Sequence, residues 1–295
     1  MRRAKAKAAA TGSGGTLTLR YDSYAALLAV ANAGQFEQVN GRSHQARGAD
    51  DEKFFASKSW NEAYGYASQG WPEGAAKAAE ISQEIQDVLG HLIEQERISY
   101  DVEGAMFDVA RLCQGEPEHW ATFTPTLVEN TGRRYVAITV SMGASCGVSP
   151  EEIARRGAAI SSLILLLERA GIRVQLTGGF YSEAGNHLLD LEVLLKGYGD
   201  SLDIDRIAFV LGHASSLRRI LFAVMESRNE AEREAMQARI GRGYGIVKEK
   251  ADRAGVDLYL CEARSGDSPW QSVEAATVWV KEQLEAQGAI IAANV

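Results

Sequence analysis

The chain has 295 residues, which is long enough for one large domain or two compact ones. Its 46% hydrophobic and 24% charged residues are ordinary for a packed globular protein and argue against disorder of the whole chain. The net charge of −8 gives no general attraction to phosphate backbones, and no run reaches the roughly 18 apolar residues of a membrane span. Three widely spaced cysteines fit a reducing compartment. We therefore expect a protein of the bacterial cytoplasm without a membrane partner.

Residues 1–15 are predicted to form a flexible basic tail. The charges of the first seven residues, MRRAKAK, are followed by too short an apolar stretch for a signal peptide. The alternative is that this tail tethers nucleic acid or another acidic surface, through the side chains of Arg2, Arg3, Lys5 and Lys7.

Residues 16–130 are predicted to form a smaller α+β region. Alternating apolar residues at 16–21 predict a strand, and Ser23 is placed to cap a helix at 24–33. The polar, glycine-bearing stretch 40–51 predicts a loop.

A capping box is the clearest signal in this region. Ser59 and Glu62 have the required spacing, and Gly70 stands where the helix should end. The elements predicted next are a long helix with Ile81, Ile85, Val88, Leu89 and Leu92 on one face, a strand at 94–100, a short helix at 107–113 and a strand at 121–129.

Residues 131–295 are predicted to form a C-terminal α/β domain, with a mostly parallel sheet flanked by helices. The boundary is placed between Asn130 and Arg134, and the sequence leaves open whether the two halves share one sheet. The elements predicted in the later part are a strand at 187–196, helices at 204–211, 216–225 and 228–253, the last with a break near Gly241–Gly245, then a strand at 257–261 and a final helix capped through Ser268 and Gln271.

A βαβ unit opens this domain. Residues 134–141 form an apolar run typical of a strand buried on both faces, and 172–180 form the next strand. Ser149 and Glu152 supply a capping box for the helix between them, which should run to Ala170. Two strands joined by such a helix are expected to pair in parallel.

The loop Ser141–Ser149 (SMGASCGVS) is the best candidate site. It joins the carboxyl end of a strand to a helix N-terminus, where ligands of α/β sheets bind and where free amides favour anions. Ser141, Ser145, Cys146 and Ser149 could line a small polar pocket. The alternative is a turn of small residues that lets the helix pack closely on the strand.

Enzymatic use of this loop would rest on Cys146 or Ser145. A thiol near a helix N-terminus has a lowered pKa, but a nucleophile also needs a base. The fold would have to bring one of three histidines to it, namely His119, His187 or His213. The alternative is an inert cysteine.

Two arginines and a tryptophan are the other candidates for binding. Arg218 and Arg219 could converge with other cations on a phosphate or a partner carboxylate, or form ordinary salt bridges. Trp71, in the rigid phrase WPEG, could be an exposed anchor for a protein partner or a core residue.

Metal and cofactor signatures are not found. The histidines and cysteines lack zinc spacing, and Asp190 and Glu192 fit the solvated face of an alternating strand better than a metal site. The glycine-rich stretch Gly241–Gly245 lacks the preceding strand that a phosphate loop requires. We expect no cofactor.

Four segments resemble a family of functionally uncharacterised proteins of bacteriophages and prophages. They are SWNEAYGYASQGWPEG (59–74), DVEGAMFDVARLCQGEPEHW (101–120), RGAAISSLILLLERAGIRVQL (156–176) and IAFVLGHASSLRRILFAVMES (207–227). The resemblance implies a phage-associated setting, either in the host cytoplasm or in the virion, and carries over no catalytic residue.

The C-terminal half also resembles a von Willebrand factor A-type domain in its order of strands and helices. Such domains often bind a divalent ion through Asp-x-Ser-x-Ser after the first strand. The matching stretch, 139–145, keeps Ser141 and Ser145 but lacks the aspartate. The resemblance therefore implies a binding module with a degenerate metal motif.

These observations favour a phage-associated, non-enzymatic module that binds an unknown protein partner. One alternative is a nucleic-acid-associated accessory protein that uses the basic tail and helix arginines. The other is a hydrolase or transferase that uses Cys146 or Ser145.

Overall fold

The computed structural model describes residues 7–8, 15–33, 44, 49–104, 106–127, 135–169, 171–184, 187–229, 246–264 and 266–286. The strands are β1 (Lys7–Ala8), β2 (Thr16–Tyr21), β3 (Glu94–Asp101), β4 (Met106–Phe107), β5 (Trp120–Leu127), β6 (Tyr135–Ser141), β7 (Arg173–Ala184), β8 (His187–Lys196), β9 (Ile246–Val247) and β10 (Leu258–Leu260). The α-helices are α1 (Tyr24–Ala33), α2 (Ala49–Phe55), α3 (Trp60–Gln69), α4 (Pro72–Ile93), α5 (Val109–Cys113), α6 (Pro150–Arg169), α7 (Ile204–Gly212), α8 (Phe222–Glu226) and α9 (Val273–Ala286). A π-helical segment (Ser216–Leu221) runs into α8, and a 3₁₀ turn (Ser268–Trp270) precedes α9.

The main sheet is mixed and mostly parallel, which confirms the α/β prediction. Its order is β1-β2-β8-β7-β6-β10, and β9 pairs with the C-terminal end of β7. The pairs β2–β8, β6–β7 and β6–β10 are parallel, whereas β7 and β8 are antiparallel. Because β2 lies beside β8, the two halves of the chain share one sheet. The predicted boundary between Asn130 and Arg134 lies outside the described residues.

The predicted βαβ unit is confirmed. β6 and β7 pair in parallel from Tyr135 opposite Arg173 to Ser141 opposite Gly179. The helix between them starts with the expected capping box. Ser149 Oγ accepts a hydrogen bond from the Glu152 amide (3.2 Å), and Glu152 Oε2 accepts one from the Ser149 amide (2.8 Å).

Helices α6 and α7 approach each other through glycine. A Cβ on Gly157 would lie 2.0 Å from the Cα of Gly212, so only hydrogen fits at this crossing. The ring of Trp71 packs on the first turn of α4, where a Cβ on Gly74 would lie 2.1 Å from the ring. These contacts hold the helical layer closely together, with the main core between it and the sheet.

A second, antiparallel sheet is formed by β3, β5 and β4 in that order. We call it, together with α5, the satellite sheet. The predicted strands at 94–100 and 121–129 are confirmed here, but β5 and the following β6 belong to different sheets. None of the described side chains from Tyr100 to Ala121 joins the main core cluster.

Three predictions need correction. Lys7 and Ala8 pair with β2, so the flexible-tail prediction is wrong for these two residues, and Arg2, Arg3 and Lys5 lie outside the described part. Ile246–Val247 is a strand rather than helix, because it pairs with the end of β7, while Gly241–Gly245 are not described. The last helix is capped by Ser272, whose Oγ accepts from the Ala275 amide, instead of by Ser268.

Among the described helices, none is by itself long and apolar enough to cross a membrane. Helix α7 and the Ser216–Glu226 helix pass that test only together, as a pair bent by 74°.

Candidate functional site

Most of the loop 141–149 is engaged in holding the fold. Ser141 is fully buried, and its Oγ accepts from the Gly143 amide at 3.3 Å. Ser145 donates its amide to the Ala263 carbonyl (3.1 Å), while Ser149 caps α6. Cys146 is exposed. Two of the four side chains that were predicted to face a ligand, Ser141 and Ser149, are therefore bonded within the protein.

The space beneath this loop is too small for a ligand. A cavity of about 10 Å³ lies there, lined by residues that include Met142, Arg156 and His213. This is close to the lower limit for a single water molecule. The acids Glu151 and Glu152 occupy the first turn of α6 and already complement its N-terminal amides, which works against an anion there.

Arg156 holds the carboxyl ends of two neighbouring strands. Its buried guanidinium donates to the carbonyl of Ser141 at the end of β6 (3.0 Å) and to that of Cys261 after β10 (2.6 Å). Burial lowers the pKa of Arg156 to about 10, so it is still charged at neutral pH. A fixed positive charge at this position disfavours a divalent cation beside Ser141.

Glu262 brings a carboxylate to the same edge. Its side chain is buried, and its Oε1 accepts from Arg264 Nη2 at 2.6 Å. Within the described residues, no group of three or more histidine, cysteine or acidic side chains is arranged to hold a metal ion. A single carboxylate beside two guanidinium groups is a poor site for a hard cation.

Arg218 pins the other end of the loop. Its buried side chain donates to the Val148 carbonyl (2.7 Å) and to the Phe54 carbonyl (2.7 Å), and lies 4.2 Å from the centre of the Phe54 ring. Burial lowers the pKa of Arg218 to about 10. The fold thus brings together the loop and Arg218, which were predicted as separate candidates. Their contact stabilises the loop and leaves this guanidinium bonded within the protein.

Arg219 has different partners and binds His44 and Ser57. It donates to Ser57 Oγ (2.7 Å), to the Ser57 carbonyl (2.9 Å) and to the His44 carbonyl (2.6 Å). His44 Nδ1 in turn lies 2.5 Å from Glu226 Oε2, with both side chains fully buried. Sequence reasoning missed this hydrogen-bonded contact because its members are 182 positions apart.

Trp71 is half-buried and packed. Its ring meets that of His213 edge-on, with centroids 4.8 Å apart. His213 Nδ1 accepts from Ser215 Oγ (2.7 Å) and from the Ser215 amide, so Nε2 carries the proton. Burial lowers the pKa of His213 to about 4. His213 is thus held by Ser215 and aromatic rings, which does not suit it to be the base for Cys146.

The alternation predicted for β8 is confirmed, but its acids are half-buried in ion pairs instead of solvated. Leu189, Leu191 and Val193 are buried, whereas Asp190 and Glu192 face the other side and pair with Arg20 of β2 at 2.6 and 3.1 Å. A network of ion pairs fills this face of the sheet.

A second cavity, of about 350 Å³, lies at the C-terminal end of β8. Lys196, Arg206, Asp200 and Asp203 contribute to its lining. The charged groups are engaged within the protein: Lys196 Nζ is 2.7 Å from Glu168, and Arg206 is 3.1 Å from Asp203.

The satellite sheet carries a different kind of surface. The four large aliphatic side chains described between Tyr100 and Ala121 are all exposed, by 43 to 62%, and we call them the satellite surface: Val102, Met106, Val109 and Leu112. Beside them the Arg111 guanidinium lies over the Tyr100 ring (4.0 Å), and the exposed Phe107 packs edge-on against Trp120, with ring centroids 4.9 Å apart. The sequence offered no signal for the exposure of these aliphatic side chains, because α5 is too short for a periodic pattern.

The comparisons place nearly the whole chain in one family. The family model described as a domain of unknown function (DUF7192) matches residues 7–291. No curated protein and no solved structure gives a significant match.

Proposed function

Since the chain belongs to this family of domains of unknown function, we propose its role from the described surface. It is a phage-associated, non-enzymatic module that binds a protein partner. The observation that carries the proposal is the satellite surface, where every large aliphatic side chain described points outward. Large exposed apolar patches are typical of protein interaction sites, and we expect these four side chains to form such a patch.

The other residues that the sequence suggested for a site favour a binding role over catalysis, because most of them are bonded within the protein. Arg218, Arg219 and Ser141 are buried and bonded to the protein's own backbone or side chains. Cys146 is exposed, but His213, which lines the cavity beneath the loop, is bonded to Ser215. An activated nucleophile needs a base within hydrogen-bonding reach.

The test is capture of a partner by the full chain, after cross-linking in infected host cells and, separately, from purified particles. Wild type and Cys146→Ala should recover the same specific protein. The double variant Val109→Asp, Leu112→Asp should lose it, because two charges would then stand where apolar contact is needed.

Two results would count against the proposal. One is the absence of any specific partner for wild type in both preparations. The other is full recovery by the double Asp variant. Loss of recovery in Cys146→Ala alone would instead favour a role for the loop.

A further inference from the structure

The charge around the satellite surface is strongly acidic. Between residues 101 and 120 the sequence has five carboxylates and one arginine. Asp101, Glu103 and Glu118 are exposed. The arginine, Arg111, stacks on Tyr100 and forms an ion pair with Glu116, which neutralises its positive charge.

Outward aliphatic groups and outward carboxylates together define what can cover them. A partner must supply apolar side chains for Val109 and Leu112, which lie three residues apart on one side of α5. It must also supply positive charge near the carboxylates, since burying them unpaired is costly. A second copy presenting the same face would bring like charges together.

We propose that the satellite surface binds a basic amphipathic segment of the partner protein. This inference rests on the proposed protein-binding function and adds the chemical class of the partner. Apolar contact supplies the affinity. The exposed carboxylates of Asp101, Glu103 and Glu118, which we call the acidic rim, select against neutral or acidic segments and speed association with a basic one.

The test uses three synthetic peptides of about 18 residues, long enough for several helical turns. One has a leucine face and a lysine face, the second keeps the leucine face but has glutamate opposite it, and the third keeps the lysines but has serine in place of leucine. Binding to the full-length chain is followed by fluorescence anisotropy. The first peptide should bind at least about tenfold more tightly than either of the others.

Matched variants locate the binding. Val109→Asp with Leu112→Asp should weaken the basic amphipathic peptide by about tenfold or more, since it removes the apolar contact. The control, Val273→Asp with Val278→Asp, adds the same two charges to exposed positions on α9 and should leave binding unchanged. Because both variants have the same net charge, general attraction of a basic peptide to an acidic protein cannot separate them.

Reversal of the rim tests the charge. Glu103→Lys with Glu118→Lys should weaken the basic amphipathic peptide and improve binding of the acidic one. Equal binding of both amphipathic peptides to wild type, or equal weakening by the α9 control, would overturn the inference. So would a lower solution mass of the Val109→Asp, Leu112→Asp variant than of wild type, because the occupant would then be a second copy.

The two proposals can fail separately. If no peptide binds but the double Asp variant still loses its cellular partner, the satellite surface is a protein-binding site and only the basic class is wrong. If the peptide result holds but no cellular partner is found, the surface chemistry stands and the protein-binding role fails.

Discussion

The main domain, which is the main sheet with the helices packed on it, and the satellite sheet differ in which side chains they bury. In the main domain even arginines are inside, as Arg218 and Arg219 are both buried and bonded to carbonyl groups. In the satellite sheet Val109 and Leu112 are 62% and 43% exposed. Burial of apolar surface is the main favourable term in folding, so the first region uses its residues for stability. In the second region the aliphatic side chains stay exposed, and they are the surface that the proposed partner would cover.

The largest expected effect breaks the main domain at its closest contact. Gly157→Val places a branched side chain where a single Cβ already lies 2.0 Å from the Gly212 backbone. We expect a loss of about 3 kcal/mol or more in the free energy of unfolding, measured by chemical denaturation. Gly65→Ala is the control, because a Cβ there meets nothing within 4 Å and should be neutral or slightly stabilising. Similar stabilities for the two variants would show that α6 and α7 do not cross as described.

A pair of arginine variants compares the two regions directly. Arg219→Met leaves the carbonyls of His44 and Ser57 buried without their donor, and should cost about 3 kcal/mol. Arg111→Met in the satellite sheet loses a partly exposed ion pair and a stacking contact, and should cost less than about 1 kcal/mol. The measurement is urea unfolding of both variants. Equal costs would remove the distinction between internal and surface arginines.

Stability of the main domain should also depend on pH through His213. Its folded pKa, about 4, is below the usual 6.5 because the neutral ring is buried. The unfolded chain therefore takes up the proton first. The stabilisation is fully present above pH 6.5 and is lost as the pH falls towards 4, by about 2 to 3 kcal/mol. Unfolding curves of wild type and His213→Asn between these pH values test this. A wild-type profile as flat as that of the variant would contradict the buried neutral imidazole.

The smallest expected effect is in the satellite surface. Leu112→Ala should change the free energy of unfolding by less than about 1 kcal/mol, since the side chain is already 43% exposed in the folded protein and belongs to no buried cluster. Leu163→Ala, in the main core and fully buried, should cost about 3 kcal/mol. Thermal unfolding of the two variants compares them. A large cost for Leu112→Ala would mean that this leucine is packed and unavailable to a partner.

Local sequence signals predicted much of the main domain. The capping box of Ser149 and Glu152, the buried run of β6 and the alternation of β8 each depend on neighbouring residues, and each was confirmed. What the sequence could not show depends on distant contacts. Nothing near His44 indicates its pairing with Glu226, and charged residues such as Arg218 are expected in solvent unless the fold is known.

The candidate site was less predictable than the fold. The loop 141–149 was selected for its position at the end of β6, and the structure places it there. The loop carbonyls are bonded to Arg156 of α6 and to Arg218 of the π-helical segment. How these helices pack against the loop depends on distant contacts, which no local sequence pattern reveals. The satellite surface gave no signal because α5, which carries Val109 and Leu112, is too short for a periodic pattern.

The most direct test of the contrast between the two regions is one variant measured in two ways. For Val109→Asp with Leu112→Asp, the free energy of unfolding and the affinity for the basic amphipathic peptide are determined on the same preparation. The expected result is an unchanged unfolding free energy, within about 0.5 kcal/mol, together with an affinity reduced about tenfold or more. Unchanged affinity, or a loss of stability large enough to explain the loss of binding, would contradict the assignment of the satellite surface to a partner.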